Sequence, residues 1–150
     1  MLTLTTKSRY GTRMLLDIAL FGKNGPVPIK DIAERQNISP KYLEKLIRDL
    51  RGAGYIKSKR GPKGGHMLTR PANAISVGEI VQVLEGEPTL EGCLTEEGAC
   101  RRVCDCVTGS IWIKAQQAMY DHLKTITLSD LERDARRCPM LLIGTPGDVL

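Results

Sequence analysis

The feature that most constrains this chain is a short amphipathic pattern that begins at Ser39 and Pro40. Ser39 suits the N-cap of a helix, and Pro40 suits the first helical position, where its missing N–H costs nothing. Leucine and isoleucine then recur with the i, i+3, i+4, i+7 spacing that puts one apolar stripe on a helix. The stripe consists of Leu43, Leu46, Ile47 and Leu50. Gly52 and Gly54 mark its end, and the lysines and arginines between stripe positions predict an exposed basic face.

A second short helix is predicted immediately before this one, from about Ile29 to Gln36. Asn37 separates the two helices, and asparagine tolerates the left-handed conformation that a tight turn requires. We expect Ile38 to fill the core just after the turn. A further helix from about Ser8 to Gly22 precedes the pair. Two short helices joined in this way, the second basic on its exposed face, indicate a helix–turn–helix.

A basic hairpin is predicted directly after the helix–turn–helix. Two strand-like stretches, residues 55–59 and 66–69, flank the turn sequence Arg60-Gly61-Pro62-Lys63-Gly64-Gly65. Short β-prone runs around a turn of glycine and proline are typical of two antiparallel strands. The sequence therefore predicts a mainly α fold with a small β wing, in which residues 1–71 form a winged helix–turn–helix.

Charge is distributed unevenly along the chain. Residues 1–71 contain 15 Lys or Arg and 5 Asp or Glu, a net charge of +10, whereas residues 72–150 contain 7 and 12, a net charge of −5. A basic half indicates a polyanionic partner; the alternative is a soluble protein with an uneven surface. No apolar run approaches the ~20 residues of a membrane span. The first ten residues have no signal core, so we expect a cytoplasmic protein that does not contact a membrane.

The helix–turn–helix, the wing and the basic charge together predict binding to double-stranded DNA. The N-terminal end of the second helix of such a motif enters the major groove, and an arginine in the wing suits a narrow minor groove. The candidate contacts are Lys7 and Arg9 in the first helix of the chain, Ser39, Pro40, Lys41, Tyr42, Glu44 and Lys45 around the start of the second helix of the motif, and Arg60 and Lys63 in the wing. Arg13 and His66 are further candidates for phosphates. Taken singly, each basic residue also fits an ordinary solvated surface.

The acidic half is predicted to contain helices on either side of a loop. Ser76 and Glu79 form a capping box that starts a helix, residues 86–107 form the loop, and a long helix spans about 108–124. Thr127 begins a last short helix. We expect residues 72–132 to form the second unit of the chain and residues 133–150 to be a flexible tail.

The loop contains four of the five cysteines within 14 residues. They are Cys93, Cys100, Cys104 and Cys106. In a reducing compartment, clustered cysteines indicate metal ligands or a redox sensor rather than structural disulfides. Thiolates bind iron–sulfur clusters or zinc, but zinc sites favour C-x2-C pairs, which are absent here. Scattered buried thiols and a disulfide-based sensor remain alternatives.

Several motifs of the chain resemble the Rrf-type regulators, the group of IscR, NsrR and CymR. They are Leu4-Thr5-Thr6-Lys7-Ser8-Arg9-Tyr10, residues 32–44, the Arg-Gly-Pro-x-Gly-Gly turn at 60–65, Val77-Gly78-Glu79-Ile80, and the cysteine loop followed by Ile111-Trp112. The resemblance covers about residues 1–132. It implies a homodimeric winged-helix repressor or activator that reads a palindromic site, with the long helix after the loop as the dimerisation helix. It also implies an iron–sulfur cluster held by Cys93, Cys100 and Cys106.

The fourth ligand of such a cluster departs from the pattern of the family. One branch uses a histidine at the position that is Gly109 here, and another uses an aspartate at the position that is Arg9. Cys104 is the nearest replacement, and Cys138 is a second candidate. The resemblance does not distinguish a two-iron from a four-iron cluster.

The sequence thus predicts a DNA-binding transcription regulator that is gated by an iron–sulfur cluster. The signal would be redox state, oxygen, nitric oxide or iron–sulfur status. The first alternative is a cluster-free repressor that senses thiol oxidation or a small ligand. The second is an iron–sulfur enzyme or electron carrier. No nucleophile–base set and no ferredoxin-type cysteine run is present, so the chain is not expected to be an enzyme.

Overall fold

The computed structural model describes residues 4–86 and 108–137. In chain order, the elements are α1 (Thr6–Phe21), a 3-10 turn (Gly22–Asn24), α2 (Ile29–Gln36), α3 (Pro40–Gly52), β1 (Ile56–Lys59), β2 (Gly65–Leu68), a second 3-10 turn (Ala72–Ala74), α4 (Val77–Glu85), α5 (Gly109–Thr125) and α6 (Leu128–Arg137). The described part is mostly helical with one two-stranded antiparallel sheet. The predicted fold class, a mainly α fold with a small β wing, is therefore confirmed.

The helix–turn–helix consists of α2 and α3. Asn37 adopts the left-handed conformation, with φ of 51° and ψ of 48°, as the turn requires. The Ser39 hydroxyl accepts a hydrogen bond of 3.3 Å from the backbone N–H of Tyr42, and Pro40 is the first residue of α3. The predicted apolar stripe of α3 and Ile38 are buried. Local sequence signals therefore place and orient α3 as expected.

One hydrophobic core joins the helix–turn–helix to the elements that follow it. Side chains of α1, α2 and α3 pack with Ile80 and Leu84 of α4 and with Leu128 at the start of α6. Gly11 allows α1 and α4 to approach closely, since a methyl group at this position would collide with Leu84. α4 and the start of α6 thus pack on the N-terminal unit across the predicted boundary at residues 71 and 72.

The wing is attached to the rest of the fold through backbone pairing. β1 and β2 pair with Ile56 opposite Leu68 and Lys59 opposite Gly65. Val27, between the first 3-10 turn and α2, forms an additional antiparallel bridge to His66 of β2. The bridge has no local signal in the sequence, because Val27 and His66 are distant in the chain.

The elements after the wing begin with local caps. Ser76 and Glu79 form the predicted capping box of α4. Thr127 and Asp130 exchange the same kind of hydrogen bonds ahead of α6. α6 continues to Arg137, so residues 133–137 are helical although the sequence assigned them to the tail. The remaining tail, residues 138–150, and the loop cysteines lie outside the described residues. Within the described ranges, no helix has the length and apolar character needed to cross a membrane.

Candidate nucleic-acid interface

The first two turns of α3 present a polar surface opposite the buried stripe. Lys41, Glu44 and Lys45 are exposed, whereas Tyr42 is half-buried. In the part of the chain that the structure describes, none of these side chains belongs to an ion pair. The lysine ammonium groups are therefore available to phosphates and base edges, and the Glu44 carboxylate is available to the amino group of a base.

The wing tip presents the second set of predicted contacts. Arg60 and Lys63 are exposed in the turn between β1 and β2, and Lys57 and Lys59 are exposed on β1. Because β2 is bonded to Val27, which directly precedes α2, this basic tip is held at a defined position relative to the helix–turn–helix. The two β1 lysines are additional candidates, since the sequence pattern predicts only a strand at these positions.

The two predicted contacts on α1 differ from the rest. The Lys7 ammonium lies 3.5 Å from the carbonyl oxygen of Leu84, at the C-terminal end of α4, where a cation is favourable. Arg9 is exposed and borders an apolar groove between α1, α4, α5 and α6. No described contact places Lys7 or Arg9 beside the exposed face of α3.

A buried polar network fixes the turn between α2 and α3. Asp17 of α1 is 1% exposed and accepts two hydrogen bonds from Arg35, of 3.0 and 2.7 Å, and one of 2.9 Å from Gln36. Arg13 in turn donates to the side-chain and backbone oxygens of Gln36. The Arg35 guanidinium also stacks over the Phe21 ring at 4.1 Å. Sequence reasoning missed this network, because a lone aspartate in a helix has no local signal that it is buried.

Tyr42 packs rather than projecting freely. Its ring meets the ring of Tyr10 edge to face, with centroids 5.9 Å apart and planes at 88°. Burial is the main cause that raises the pKa of the Tyr42 hydroxyl, and the nearby Glu85 carboxylate and Tyr10 add smaller contributions. Tyr42 therefore stays neutral at physiological pH, and its ring connects the first turn of α3 to α1.

Arg70, at the base of the wing, connects the wing to α4. The Arg70 guanidinium lies 4.6 Å from the centre of the Tyr55 ring and 3.6 Å from a carboxylate oxygen of Glu79. Burial alone would raise the pKa of Glu79, but hydrogen bonds from Ser76 and the charge of Arg70 together hold it below its usual value. Glu79 thus remains ionised, and its carboxylate both caps α4 and pairs with Arg70 at the base of the wing.

The cysteine segment is flanked by two structured ends. Glu85, the last residue of α4, accepts hydrogen bonds from the backbone and hydroxyl groups of Thr5 and Ser8 at the start of α1. At the other end, α5 begins at Gly109. All five cysteines lie outside the described residues, and among the residues that are described no group of three or more His, Cys, Asp or Glu side chains is arranged to hold a metal.

Comparison with known families identifies the class of regulator. Residues 4–134 match the model of the Rrf2 family, described as an iron-dependent transcriptional regulator. The chain belongs to the Rrf2 family. Protein rrf2 of Nitratidesulfovibrio vulgaris is 56% identical to it over 136 residues, which cover 91% of each chain. The HTH-type transcriptional regulator IscR of Pectobacterium carotovorum is 41% identical over 128 residues, 85% of this chain and 77% of IscR.

Solved structures of two regulators have the same fold as this Rrf2 family member. IscR of T. potens superposes with a TM-score of 0.72 at 41% identity and covers 89% of this chain and 88% of its own. CymR of B. subtilis, described as the global cysteine regulator, superposes with a TM-score of 0.73 at 36% identity and covers 89% and 98%. The protein is thus a DNA-binding transcription regulator and not an enzyme, as the sequence predicted.

Proposed function

We propose that this Rrf2 family regulator docks the N-terminal turns of α3 in the major groove and the wing tip in the adjacent minor groove. The observation that carries the proposal is the exposure of Lys41, Glu44 and Lys45 on α3 and of Arg60 and Lys63 on the wing, which backbone pairing connects to the same unit. Lys41 and Lys45 suit phosphates or guanine edges, and Glu44 suits the amino group of cytosine. Ser39 and Pro40 lie at the N-terminal end of α3, the end that contacts DNA in a helix–turn–helix.

The test measures affinity for a duplex that the protein itself selects from a random library. Arg60→Ala is expected to weaken binding to the selected duplex, and Lys41→Ala is expected to lower the salt dependence by about one phosphate contact. Lys114→Ala is the matched control, because Lys114 is an exposed lysine on α5, the helix that packs on α4. Equal losses from all three variants would contradict the assignment of α3 and the wing.

We also propose that the protein acts as a homodimer through α5. Ile111, Trp112 and Ile113 are 55%, 60% and 42% exposed, which leaves three large apolar side chains in water within the first two turns of this helix. An apolar groove of about 350 Å³ between α1, α4, α5 and α6 adds to this surface. A second copy would cover both, and a two-fold dimer would read the palindromic site that the resemblance implies.

Trp112 is the only tryptophan of the chain, so it reports its own burial. We expect sedimentation to show a dimer and the tryptophan emission to shift to the red when the protein is diluted below its dimerisation constant. Trp112→Gln is expected to lower dimer stability, whereas Lys114→Gln in the same helix should leave it unchanged. A monomer at all concentrations would contradict the proposal.

The third part of the proposal is gating by an iron–sulfur cluster. Its support is the donor chemistry: four thiols within 14 residues fit a group that takes thiolate ligands, and the matching family is described as iron-dependent. Cys93, Cys100 and Cys106 would hold the cluster, with Cys104 or Cys138 as the fourth ligand. When bound, the cluster would supply sensitivity to oxygen, nitric oxide or redox state. Of the described residues, Gly86 and Thr108 adjoin the cysteine segment, and they follow α4 and precede α5. Glu85, the residue before Gly86, connects this end to α1 through Thr5 and Ser8.

Anaerobic purification followed by absorption, iron and sulfide analysis tests this part. We expect a brown protein with matched iron and sulfide, whose spectrum changes in Cys104→Ala if Cys104 is a ligand and in Cys138→Ala if the tail supplies it. A colourless protein after reconstitution would contradict cluster gating but not DNA binding. A thiol oxidant that still changes DNA affinity in that protein would then favour the cluster-free alternative.

A further inference from the structure

The Arg13 guanidinium makes two hydrogen bonds to one residue of another helix. Its Nε donates to the side-chain oxygen of Gln36 at 3.1 Å, and one terminal nitrogen donates to the backbone carbonyl of the same residue at 2.7 Å. Gln36 is the last residue of α2, where carbonyl groups have no partner inside the helix. Arg13 therefore caps the C-terminal end of α2, just before the left-handed turn at Asn37.

The same guanidinium also orders the start of α3. Its central carbon lies 5.6 Å from the centre of the Tyr10 ring, one turn earlier on α1. The Tyr10 ring in turn meets the ring of Tyr42, in the first turn of α3. Arg13 thus contacts the residue before the turn directly and the helix after the turn through one intermediate ring.

The amide of Gln36 has a defined orientation in this arrangement. Its oxygen accepts from Arg13, and its nitrogen donates at 2.9 Å to Asp17, which two hydrogen bonds from Arg35 hold in place. Gln36 is 6% exposed and Asp17 is 1% exposed, so water does not replace these partners readily. The position of the turn is therefore set by buried, directional contacts to α1.

We propose that Arg13 is a positioning residue for sequence recognition, which sets the direction in which α3 leaves the turn, and not a ligand of DNA phosphate. The inference rests on the proposed docking of α3 in the major groove. Contacts to base edges tolerate errors of only about 0.5 Å, so a small rotation of α3 weakens them. Contacts from flexible lysines to phosphates tolerate the same rotation. Loss of Arg13 should thus lower specificity more than overall attraction to DNA.

Lysine is the informative substitution at this position. A lysine keeps the charge and can contact a phosphate, but it cannot reproduce the planar fork that bonds two oxygens of Gln36. If Arg13 binds phosphate, Arg13→Lys leaves affinity nearly unchanged, and Arg13→Gln weakens all duplexes equally and lowers the salt slope by about 0.9. If Arg13 positions α3, both variants lose specificity to a similar extent.

The experiment compares a duplex selected by the unaltered protein from a random library with a scrambled duplex of equal length, at several salt concentrations. Measurements are made well below the thermal midpoint of each variant, with circular dichroism as the check on folding. We expect Arg13→Lys and Arg13→Gln to lower the ratio of selected to scrambled affinity by about ten-fold, the cost of one poorly made base contact. Tyr10→Ala should have the same effect, and Tyr10→Phe, which keeps the ring, should not.

An unchanged affinity ratio in Arg13→Lys, or equal losses on the two duplexes in Arg13→Gln, would overturn the positioning role. Failure of the unaltered protein to select any sequence would instead overturn the proposed docking of α3, and this inference with it. The two failures are distinguishable, because the first requires a selected duplex that the unaltered protein binds and the second is the absence of one.

Discussion

Val27 and His66 exchange two backbone hydrogen bonds, of 2.9 Å from Val27 N–H and 2.8 Å from His66 N–H. The pairing adds a short third segment to the two-stranded wing and connects β2 to the residues that lead into α2. Gly65 precedes His66 with φ of 157°, and a Cβ there would lie 2.5 Å from the carbonyl oxygen of Val27. The wing is therefore positioned by backbone pairing with Val27. A side chain at residue 65 would prevent this close approach.

Gly65→Ala is expected to separate β2 from Val27 and to displace the wing tip. Both the positive φ and the collision oppose an alanine, so the free energy of unfolding should fall by about 1–3 kcal/mol. Affinity for DNA should fall further, since Arg60 and Lys63 would lose their fixed position. Urea denaturation and binding to a selected duplex measure the two effects.

Gly52→Ala is the matched control for this prediction. Gly52 is the last residue of α3, and a Cβ there would have open space around it. Alanine favours the helix, so we expect no loss of stability. If Gly52→Ala and Gly65→Ala behaved alike, the proposed contact between Gly65 and Val27 would not be what restricts residue 65.

Asp17 is a buried carboxylate, and its removal is expected to cost more stability than removal of an exposed acidic residue. Asp17→Ala would leave Arg35 and Gln36 without their buried partner, and breaking such a pair costs about 3–5 kcal/mol. Because Arg35 is 29% exposed and can reach water, we expect the lower end of this range. Urea denaturation measures it. Asp49→Ala, at an exposed position of α3, should change stability by less than about 0.5 kcal/mol.

The elements of this fold that the sequence predicted are those with local signals. The cap at Ser39, the left-handed Asn37 and the apolar stripe of α3 all act within a few residues of one another. The capping box at Ser76 and the glycine-rich turn of the wing are equally local. Side-chain exposure on α3 followed directly from the position of the stripe, so these candidate contacts were predictable residue by residue.

The features that escaped prediction depend on residues far apart in the chain. The hydrogen bonds of Arg13 to Gln36 are one example, because Gln36 lies on another helix and gives no local sign in the sequence. The contact of Lys7 with the end of α4 is a second example, and the contact of Lys7 with DNA stays a prediction. α6 extends to Arg137, and Ala135 near its end is buried. The polar residues around Ala135 gave no sign of this burial.

His66 is expected to make the stability of the protein depend on pH near neutrality. Partial burial is the main cause that lowers the pKa of the His66 imidazole below its usual value of 6.5, and the positive charge of Arg51 adds to it. The folded state then binds fewer protons than the unfolded state, so stability is highest above pH 6.5 and falls as the pH falls through the folded pKa. Urea denaturation between pH 7.5 and pH 5 should show a decline that His66→Gln reduces. The same decline in His66→Gln would assign it elsewhere, and His122→Gln controls for the second histidine.

Glu85 is expected to stabilise the start of α1 through its charge. The first turn of α1 contains no acidic residue of its own, and the Glu85 carboxylate from α4 accepts the hydrogen bonds of Thr5 and Ser8 in its place. An anion at this end of a helix is favourable, so Glu85→Gln should lower the free energy of unfolding by about 1 kcal/mol at pH 7.

The same substitution should lose its effect in acid. Burial would raise the pKa of Glu85, but the hydrogen bonds from Ser8 and Thr5 outweigh it and hold the pKa below its usual value. A depressed pKa means that the stabilisation is complete above the unfolded pKa of about 4.3 and disappears as the pH falls through the folded pKa. Urea denaturation of Glu85→Gln and of the unaltered protein should therefore differ at pH 7 and converge below about pH 4. A difference that persisted unchanged in acid would mean that the shape of the side chain, and not its charge, stabilises α1.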